Sequence, residues 1–399
     1  MVRATDALRR LPRSAALSLW RTQGERAAPP PADAATPPER ASALLLTKQG
    51  LLWAWNYLKL VFTPRQRFRQ YAAPASARPG IFSLPDRAVV GLAADWGTGT
   101  DSAYAVADAI RGHAPDVAIH LGDVYYSGTE DEFHEYFLGP GRWPTGKLQG
   151  GGQNARGAYT LNGNHEMYSG GAGYFRAALP ALGQETSYFC LENAHWRLLG
   201  LDTGYYAKSV PFLELIVNFI KLHDAICGWL KDVVFANPAD RRPVILLSHH
   251  QWFSAYDTEY ERVGSQLRPY LDRVLLWFWG HEHRFAGYAP FGFDGATVRA
   301  RCIGHGGMPI ELGGKIKHAD RPLVFSDDRK AQDLDGEGIG YCGFALLRLD
   351  GPDLAIEYRD EKNTLLLEER WHAGPDGARG SVRGGEQLTM HRPLETLTS

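Results

Sequence analysis

The chain is poor in cysteine, in net charge and in long apolar runs. Its 399 residues include only four cysteines, and no two of them form a CxxC pair: Cys190, Cys227, Cys302 and Cys342. Such scattered thiols argue against a disulfide framework and against a thiolate metal site. We therefore expect a reducing compartment, and the cytoplasm is the localisation we predict.

The small net charge and the short apolar runs exclude further classes. A formal charge of −2 creates no field that would attract nucleic acid or an anionic membrane. The run LLWAWNYLKLVF is interrupted by Asn56 and Lys59 and is too short to span a bilayer. The Arg-rich start lacks the apolar core of a secretory peptide. We expect no transmembrane segment, and peripheral membrane association stays open.

Composition divides the chain into three parts. Residues 1–86 are predicted to be an extension, with a Pro/Ala-rich linker at 27–38 and a docking helix over 42–72. Residues 87–372 alternate strand and helix patterns in their first half and are rich in strands at their end. Residues 373–399 are Gly-rich and polar, and we expect a flexible tail. The pattern predicts an α/β fold whose sheet is extended or doubled by C-terminal strands.

Polar side chains follow five apolar runs, each at the point where a predicted strand ends. The five stretches are AADWG with Asp95, LGDVYYSG with Asp123, LNGNHEMY with Asn164, LLSHHQWF with His249, and WFWGHEHRF with His281 and His283. Neighbouring strand ends in an α/β sheet converge on one crevice, so these residues can meet. Their oxygen and nitrogen donors suit Mn, Fe or Zn, and their number suits two ions that share a carboxylate.

In this order the five stretches resemble the calcineurin-like metallophosphoesterases, over roughly residues 88–290. The resemblance implies a two-sheet mixed β-sandwich flanked by helices and a dinuclear metal centre. Most of that family reads D-x-H where this chain has Asp95-Trp96-Gly97. The purple acid phosphatases, a branch of the family, share DWG and supply a tyrosine three residues after the bridging aspartate. Tyr126 holds that position here, although Tyr125 is an alternative and both tyrosines could instead pack beneath the site.

Carried over by the resemblance, the first metal would take Asp95, Tyr126 and His283, and the second Asn164, His249 and His281. Asp123 would bridge the two ions. With a bridging hydroxide these ligands carry four negative charges, which would balance Fe(III) with Fe(II), Zn(II) or Mn(II). His250, next to His249, is the alternative ligand at the fourth stretch.

The same resemblance assigns catalytic roles to His165 and Asp123. His165 would assist the leaving group, and Glu166 either fixes its other ring nitrogen or is a solvated loop acid. The function implied is a metal-dependent phosphoesterase, in which metal-bound hydroxide attacks the phosphorus of a small or lipid-like phosphoester. The alternatives are a non-catalytic protein-binding scaffold, or a lipid-directed enzyme whose apolar insertion at 209–222 forms a wall or lid.

Overall fold

The architecture is seen in a computed structural model that describes residues 63–72, 78–147, 157–207, 220–293, 296–310, 312, 314–334, 337–375 and 377–399. The predicted linker, most of the predicted docking helix and nearly all of the insertion at 209–222 lie outside these residues. None of the helices in the described ranges is long and apolar enough to cross a membrane.

Strands dominate the described chain, and their bounds fall close to the apolar runs of the sequence. They are β1 Ile81–Ser83, β2 Arg87–Ala93, β3 Val117–His120, β4 Ala158–Thr160, β5 Phe189–Glu192, β6 Arg197–Gly200, β7 Val244–Leu247, β8 Val274–Trp279, β9 Phe285–Tyr288, β10 Phe291–Phe293, β11 Ala296–Ile303, β12 Leu323–Ser326, β13 Lys330–Leu334, β14 Glu337–Gly340, β15 Gly343–Asp350, β16 Asp353–Asp360, β17 Leu365–Gly374, β18 Gly377–Gly384 and β19 Thr389–Met390.

Helices are short and connect the strands. They are α1 Asp101–Gly112, α2 Glu130–Glu132 with a π turn at Phe133–Phe137, α3 Asn164–Tyr168, α4 Leu179–Leu182 after a π turn at Gly173–Ala178, α5 Asp224–Trp229 with a π turn at Leu230–Val234, α6 Glu261–Leu267, and 3₁₀ turns at Arg268–Arg273 and Leu394–Leu397. Helix α1 begins at Asp101 because the Thr100 side chain caps it by accepting a hydrogen bond from Ala103 N.

The strands form two large mixed sheets. One runs in the order β1-β5-β6-β7-β8-β11-β9-β12-β19, with β10 added to β11, and the other runs β18-β17-β16-β15-β2-β3-β4. Within them, β2, β3 and β4 are parallel neighbours, and so are β6, β7, β8 and β11. The predicted α/β fold with two mixed sheets is confirmed.

The two sheets pack face to face over a shared apolar core. Leu92 and Ile119 from one sheet and Ile245 and Phe278 from the other belong to the same buried cluster. Sheets pack in this way because each buries one apolar face against the other. A second cluster lies under the helices, where α1 places Val106 and Ile110 against the outer face.

The C-terminal segment differs from the flexible tail that we predicted from residue 373. Residues Gly377–Gly384 form β18, which pairs with β17 along its whole length. The glycines that suggested flexibility are needed for this pairing, since a Cβ on Gly380 would lie 2.5 Å from the Trp371 ring. Further on, Leu397 is fully buried in the core between the sheets.

The end of the predicted docking helix also differs from the prediction. Residues 63–72 are described and are not helical, and Pro64 disfavours helical geometry in the residue before it. This extended segment packs on the body, with Phe68 buried against Tyr205 and stacked 4.0 Å from the His223 ring. Residues 42–62, like the apolar stretch 208–219, lie outside the described residues.

Candidate metal centre

The predicted site residues come together where strands of both sheets end. Asp95 follows β2 and Asp123 follows β3 in one sheet, whereas His249 follows β7 and His281 follows β8 in the other. Asn164, which begins α3 after β4, completes the set. The site therefore lies at one end of the sandwich, at the carboxyl ends of parallel strands.

Two groups of side chains converge on a shared carboxylate. In the first group, Asp95 Oδ1 lies 3.5 Å from His283 Nε2. In the second, Asn164 Oδ1 lies 3.0 Å from both His249 Nε2 and His281 Nδ1. Asp123 Oδ2 is 3.3 Å from His249 Nε2, and it faces the first group as well. This arrangement matches two coordination positions with Asp123 between them.

The tyrosine at the first group is Tyr125, whereas the sequence favoured Tyr126. The Tyr125 hydroxyl lies 2.8 Å from Asp95 Oδ1, 2.9 Å from His283 Nε2 and 3.3 Å from Asp123 Oδ2. Tyr126 has its ring centroid 6.0 Å from that of Tyr125. The loop path decides between them, because Glu132 accepts from Tyr126 N and Ser127 N and so fixes the turn after Tyr125.

The charge balance of the site fits a bound cation. Asp95 is fully buried and Asp123 is 1% exposed, and among the described residues both form their ion-pair contacts with histidines and none with lysine or arginine. Buried carboxylates without a compensating charge are costly. One oxygen of each, together with a nitrogen of His249, lies within a 4.8 Å cluster suited to a metal ion.

Three residues of the site have backbone φ angles in the left-handed region, which non-glycine residues rarely adopt. Asp95, Asp123 and His281 have φ angles of 56°, 72° and 65°, and only two other described non-glycine residues have positive values. Such strained residues cluster at functional sites. The backbone of Gly163 lies so close to Asp123 that a Cβ at this position would be 2.1 Å from Asp123 Oδ1.

Comparison with known proteins identifies the domain that carries these residues. The sequence profile of the calcineurin-like phosphoesterases matches residues 88–285. Residues 88–285 belong to that family. No curated protein sequence matches the chain significantly.

Solved structures similar to this chain include two phosphatases. A purple acid phosphatase from yellow lupin (Lupinus luteus) seeds has a TM-score of 0.42 and 15% identity, covering 71% of this chain and 53% of its own. A dimetal phosphatase from Danio rerio has a TM-score of 0.40 and 14% identity, covering 72% of this chain and 99% of its own. The chain thus spans about half of the lupin enzyme.

Within this calcineurin-like phosphoesterase domain, His165 lies beside the predicted bridging carboxylate. Its Nε2 is 3.8 Å from Asp123 Oδ2, and its Nδ1 is 2.8 Å from the Tyr126 carbonyl oxygen. That carbonyl, and not Glu166, is the partner of the second ring nitrogen, which was one of the two roles considered for Glu166. Burial lowers the pKa of His165.

Glu166 matches neither of the two roles that we considered for it. It is fully buried, and its carboxylate accepts from the backbone N–H groups of Asp123, Val124 and Gly163 at 3.2, 2.8 and 2.8 Å. Glu166 therefore connects the two loops that carry Asp123 and Asn164.

Electrostatic interactions across the second group are strong. Burial alone would raise the pKa of Asp123, but the rings of His249 and His165 hold it well below its ordinary value. Burial opposes protonation of His249 as well, yet the carboxylates of Asp123 and Asp95 raise its pKa to about 9. Burial, together with the nearby His249 ring, lowers the pKa of His281 to about 4.

Other polar residues surround the centre, and the sequence did not single out all of them. His250 lies next to His281, with ring centroids 4.7 Å apart, and its Nδ1 contacts the Thr203 hydroxyl at 3.1 Å. Two tyrosines were missed entirely: Tyr168 contacts Asn164, and Tyr260 contacts His281. The spacing of Tyr168, four residues after Asn164 on a helix, was the available signal.

Proposed function

We propose that this chain is a dinuclear metal-dependent phosphoesterase. The observation that carries the proposal is the convergence of oxygen and nitrogen donors on Asp123, in a site whose buried carboxylates lack a lysine or arginine partner among the described residues. Membership of residues 88–285 in the calcineurin-like phosphoesterases supports a hydrolase.

The donors divide between two positions. The first position would be held by Asp95, Tyr125 and His283, and the second by Asn164, His249 and His281. The shared ligand would be Asp123, whose Oδ2 faces both groups. This set differs from our sequence-based prediction only in Tyr125, which takes the place of Tyr126.

Two bound ions would activate water and stabilise the charge that develops on a phosphoryl group. Tyr125 as a phenolate, with Asp95 and Asp123, would supply three negative charges. That total favours a trivalent with a divalent ion, such as Fe(III) with Fe, Zn or Mn(II). Burial and the two carboxylates raise the pKa of Tyr125 well above its ordinary value, so its ionisation requires a strongly charged partner.

His165 would transfer a proton in the proposed reaction. Its Nδ1–H donates to the Tyr126 carbonyl oxygen, which leaves Nε2 facing the site beside Asp123. When the ring takes up a second proton, that proton sits on Nε2 and can pass to the oxygen of the departing group; general acid catalysis of this kind contributes about 10²–10⁴-fold. The packing of its ring, 4.3 Å from Tyr125 and 4.8 Å from Tyr168, holds it in place.

Metal analysis combined with a phosphoester panel tests the proposal. We expect two ions per chain and hydrolysis of at least one aryl phosphomonoester or phosphodiester. Asp123→Ala should lose both bound metal and activity, whereas His165→Ala should keep its metal and lose about 10²–10⁴-fold in kcat. The matched control is His372→Ala, because His372 also pairs with an aspartate, Asp353, but on the surface.

Two results would contradict the proposal. Wild-type protein that binds two ions but hydrolyses no mono- or diester would favour a non-catalytic scaffold. Activity that survives Asp123→Ala would place the chemistry elsewhere in the chain.

A further inference from the structure

We propose, on the basis of the dinuclear centre proposed above, that Tyr168 and Tyr260 are positioning residues that orient the ligands of the second metal position through their hydroxyl groups. The two tyrosines belong to different elements. Tyr168 ends α3, and Tyr260 directly precedes α6. Both are half-buried at the edge of the centre.

Tyr168 fixes which end of the Asn164 amide faces the site. Asn164 Nδ2 donates to the Tyr168 hydroxyl at 3.0 Å, and Asn164 Oδ1 then points toward His249 and His281. A carboxamide binds a metal through its oxygen, and its NH₂ group can only donate hydrogen bonds. Without a partner on the nitrogen, the amide could rotate and present the wrong atom.

Tyr260 fixes the tautomer of His281. The Tyr260 hydroxyl lies 3.0 Å from His281 Nε2, while His281 Nδ1 lies 3.0 Å from Asn164 Oδ1. For Nδ1 to offer its lone pair to a metal, the proton of the neutral ring must sit on Nε2. The Tyr260 oxygen accepts that proton in a hydrogen bond, which is the role that outer partners of metal-binding histidines commonly have.

The third ligand of the second position has a different anchor. His249 Nδ1 lies 3.0 Å from the carbonyl oxygen of Leu121, a backbone group that a side-chain substitution leaves in place. Each of the three ligands therefore has its outward polar atom bound, and the two tyrosine hydroxyls are the members of this set that mutation can remove. Loss of such partners typically weakens metal binding about 10- to 100-fold.

Substitution by phenylalanine separates the effect of the hydroxyl group from that of the ring. Tyr168 also packs on His165, with ring centroids 4.8 Å apart, so Tyr168→Phe retains that packing and removes the hydroxyl that contacts Asn164. Tyr260→Phe likewise retains the ring, 5.1 Å from that of His250. A suitable control is Tyr71→Phe, because the Tyr71 hydroxyl donates to a backbone carbonyl, that of Tyr188, at 2.7 Å.

The test is a calorimetric titration of the metal-free full chain with Mn²⁺. The step that Asn164→Ala abolishes is assigned to the second position. We expect Tyr168→Phe and Tyr260→Phe each to raise the Kd of that step about 10- to 100-fold, to leave the other step within twofold, and to leave the thermal midpoint of the metal-free protein unchanged. Tyr71→Phe should leave both steps unchanged. Where activity is measurable, excess Mn²⁺ should restore kcat in both tyrosine variants.

An unchanged second step in both variants would overturn the proposal, and so would equal weakening of both steps. The titration does not depend on hydrolysis. If the wild type binds two ions and cleaves no ester, the proposed function fails, while the Kd values of the variants still decide the role of the tyrosines.

Discussion

At the scale of single residues, the protonation state of Tyr125 would decide which ions the proposed centre holds. Its hydroxyl lies within 3.3 Å of Asp95, Asp123 and His283, all predicted ligands. A phenolate in that position would add a negative charge and a strong oxygen donor, both of which favour a trivalent ion. A protonated phenol would instead leave the centre to two divalent ions.

The colour of the iron-loaded protein should distinguish a Tyr125 phenolate from a protonated phenol. We expect a visible tyrosinate–Fe(III) absorption band that Tyr125→Phe abolishes and Tyr126→Phe retains, because the Tyr125 hydroxyl lies 2.8 Å from Asp95 Oδ1 and 2.9 Å from His283 Nε2. Visible spectra at matched iron content would measure it. A band that survives Tyr125→Phe and disappears in Tyr126→Phe would restore the ligand that the sequence favoured.

His120 gives a second prediction at this scale, for stability against pH. Burial lowers its pKa to about 3, from about 6.5 in an unfolded chain. The unfolded state therefore takes up the proton first as the pH falls, and stability is lost between pH 6.5 and 3. Over that window the loss from His120 should be roughly 5 kcal/mol.

His120→Gln should remove this contribution, since glutamine does not titrate. Urea unfolding at several pH values should show a shallower loss of stability in the variant than in the wild type between pH 6.5 and 3. His372→Gln, at an exposed histidine, should not change the slope. Equal slopes for His120→Gln and wild type would contradict the prediction.

At the scale of elements, Glu166 joins the loops that follow β3 and β4. Its carboxylate accepts three backbone N–H groups, from Asp123, Val124 and Gly163. Glu166→Gln keeps the size of the side chain but turns one acceptor oxygen into an NH₂ group that faces a backbone donor. A buried donor that is left without an acceptor costs about 1–3 kcal/mol.

We therefore expect Glu166→Gln to lower the free energy of unfolding by about 2–3 kcal/mol and to weaken metal binding, because Asp123 and Asn164 lose their common support. Denaturant unfolding and metal titration would measure the two effects. Glu130→Gln, at a surface residue paired with Arg176, should change stability by less than about 1 kcal/mol. Full stability and full metal affinity in Glu166→Gln would show that the loops hold their positions without it.

Many of the helices and strands could be predicted from the sequence alone. The strand at 274–279 and the helix at 101–112 lie where the apolar pattern and the capping residues put them, because both signals are local. Strand β18 could not be predicted, since its glycines and arginines carry no alternation of apolar and polar residues. It forms because β18 pairs with the edge of β17, and the Trp371 ring leaves no space for a side chain at position 380, where the chain has glycine.

At the scale of the whole molecule, a buried ion pair joins the two sheets. Arg301 on β11 and Glu369 on β17 are fully buried and paired through two contacts, at 2.6 and 2.9 Å. The same guanidinium donates to the Leu397 carbonyl, which attaches the C-terminal turn. The Tyr358 hydroxyl completes the network on the carboxylate.

Removing one partner of the Arg301–Glu369 ion pair should lower the free energy of unfolding more than removing both. We expect Arg301→Met or Glu369→Leu alone to lower the free energy of unfolding by about 3–5 kcal/mol, since each leaves an uncompensated buried charge. The double variant should lose less than either single variant. A double-mutant cycle by urea unfolding would measure this coupling, and additive losses would contradict it.

The sequence by itself determined which residue types stand at the ends of five strands, because an apolar run followed by a polar ligand is a local pattern. Together with the resemblance to the calcineurin-like metallophosphoesterases, that pattern was enough to predict two mixed sheets and most of the proposed ligand set. The tertiary structure alone decided that Tyr125 faces the centre, that a carbonyl holds His165, and that Tyr168 and Tyr260 contact Asn164 and His281. These choices depend on how loops from separate strands pack against one another, and contacts of that kind leave no periodic signal in the chain.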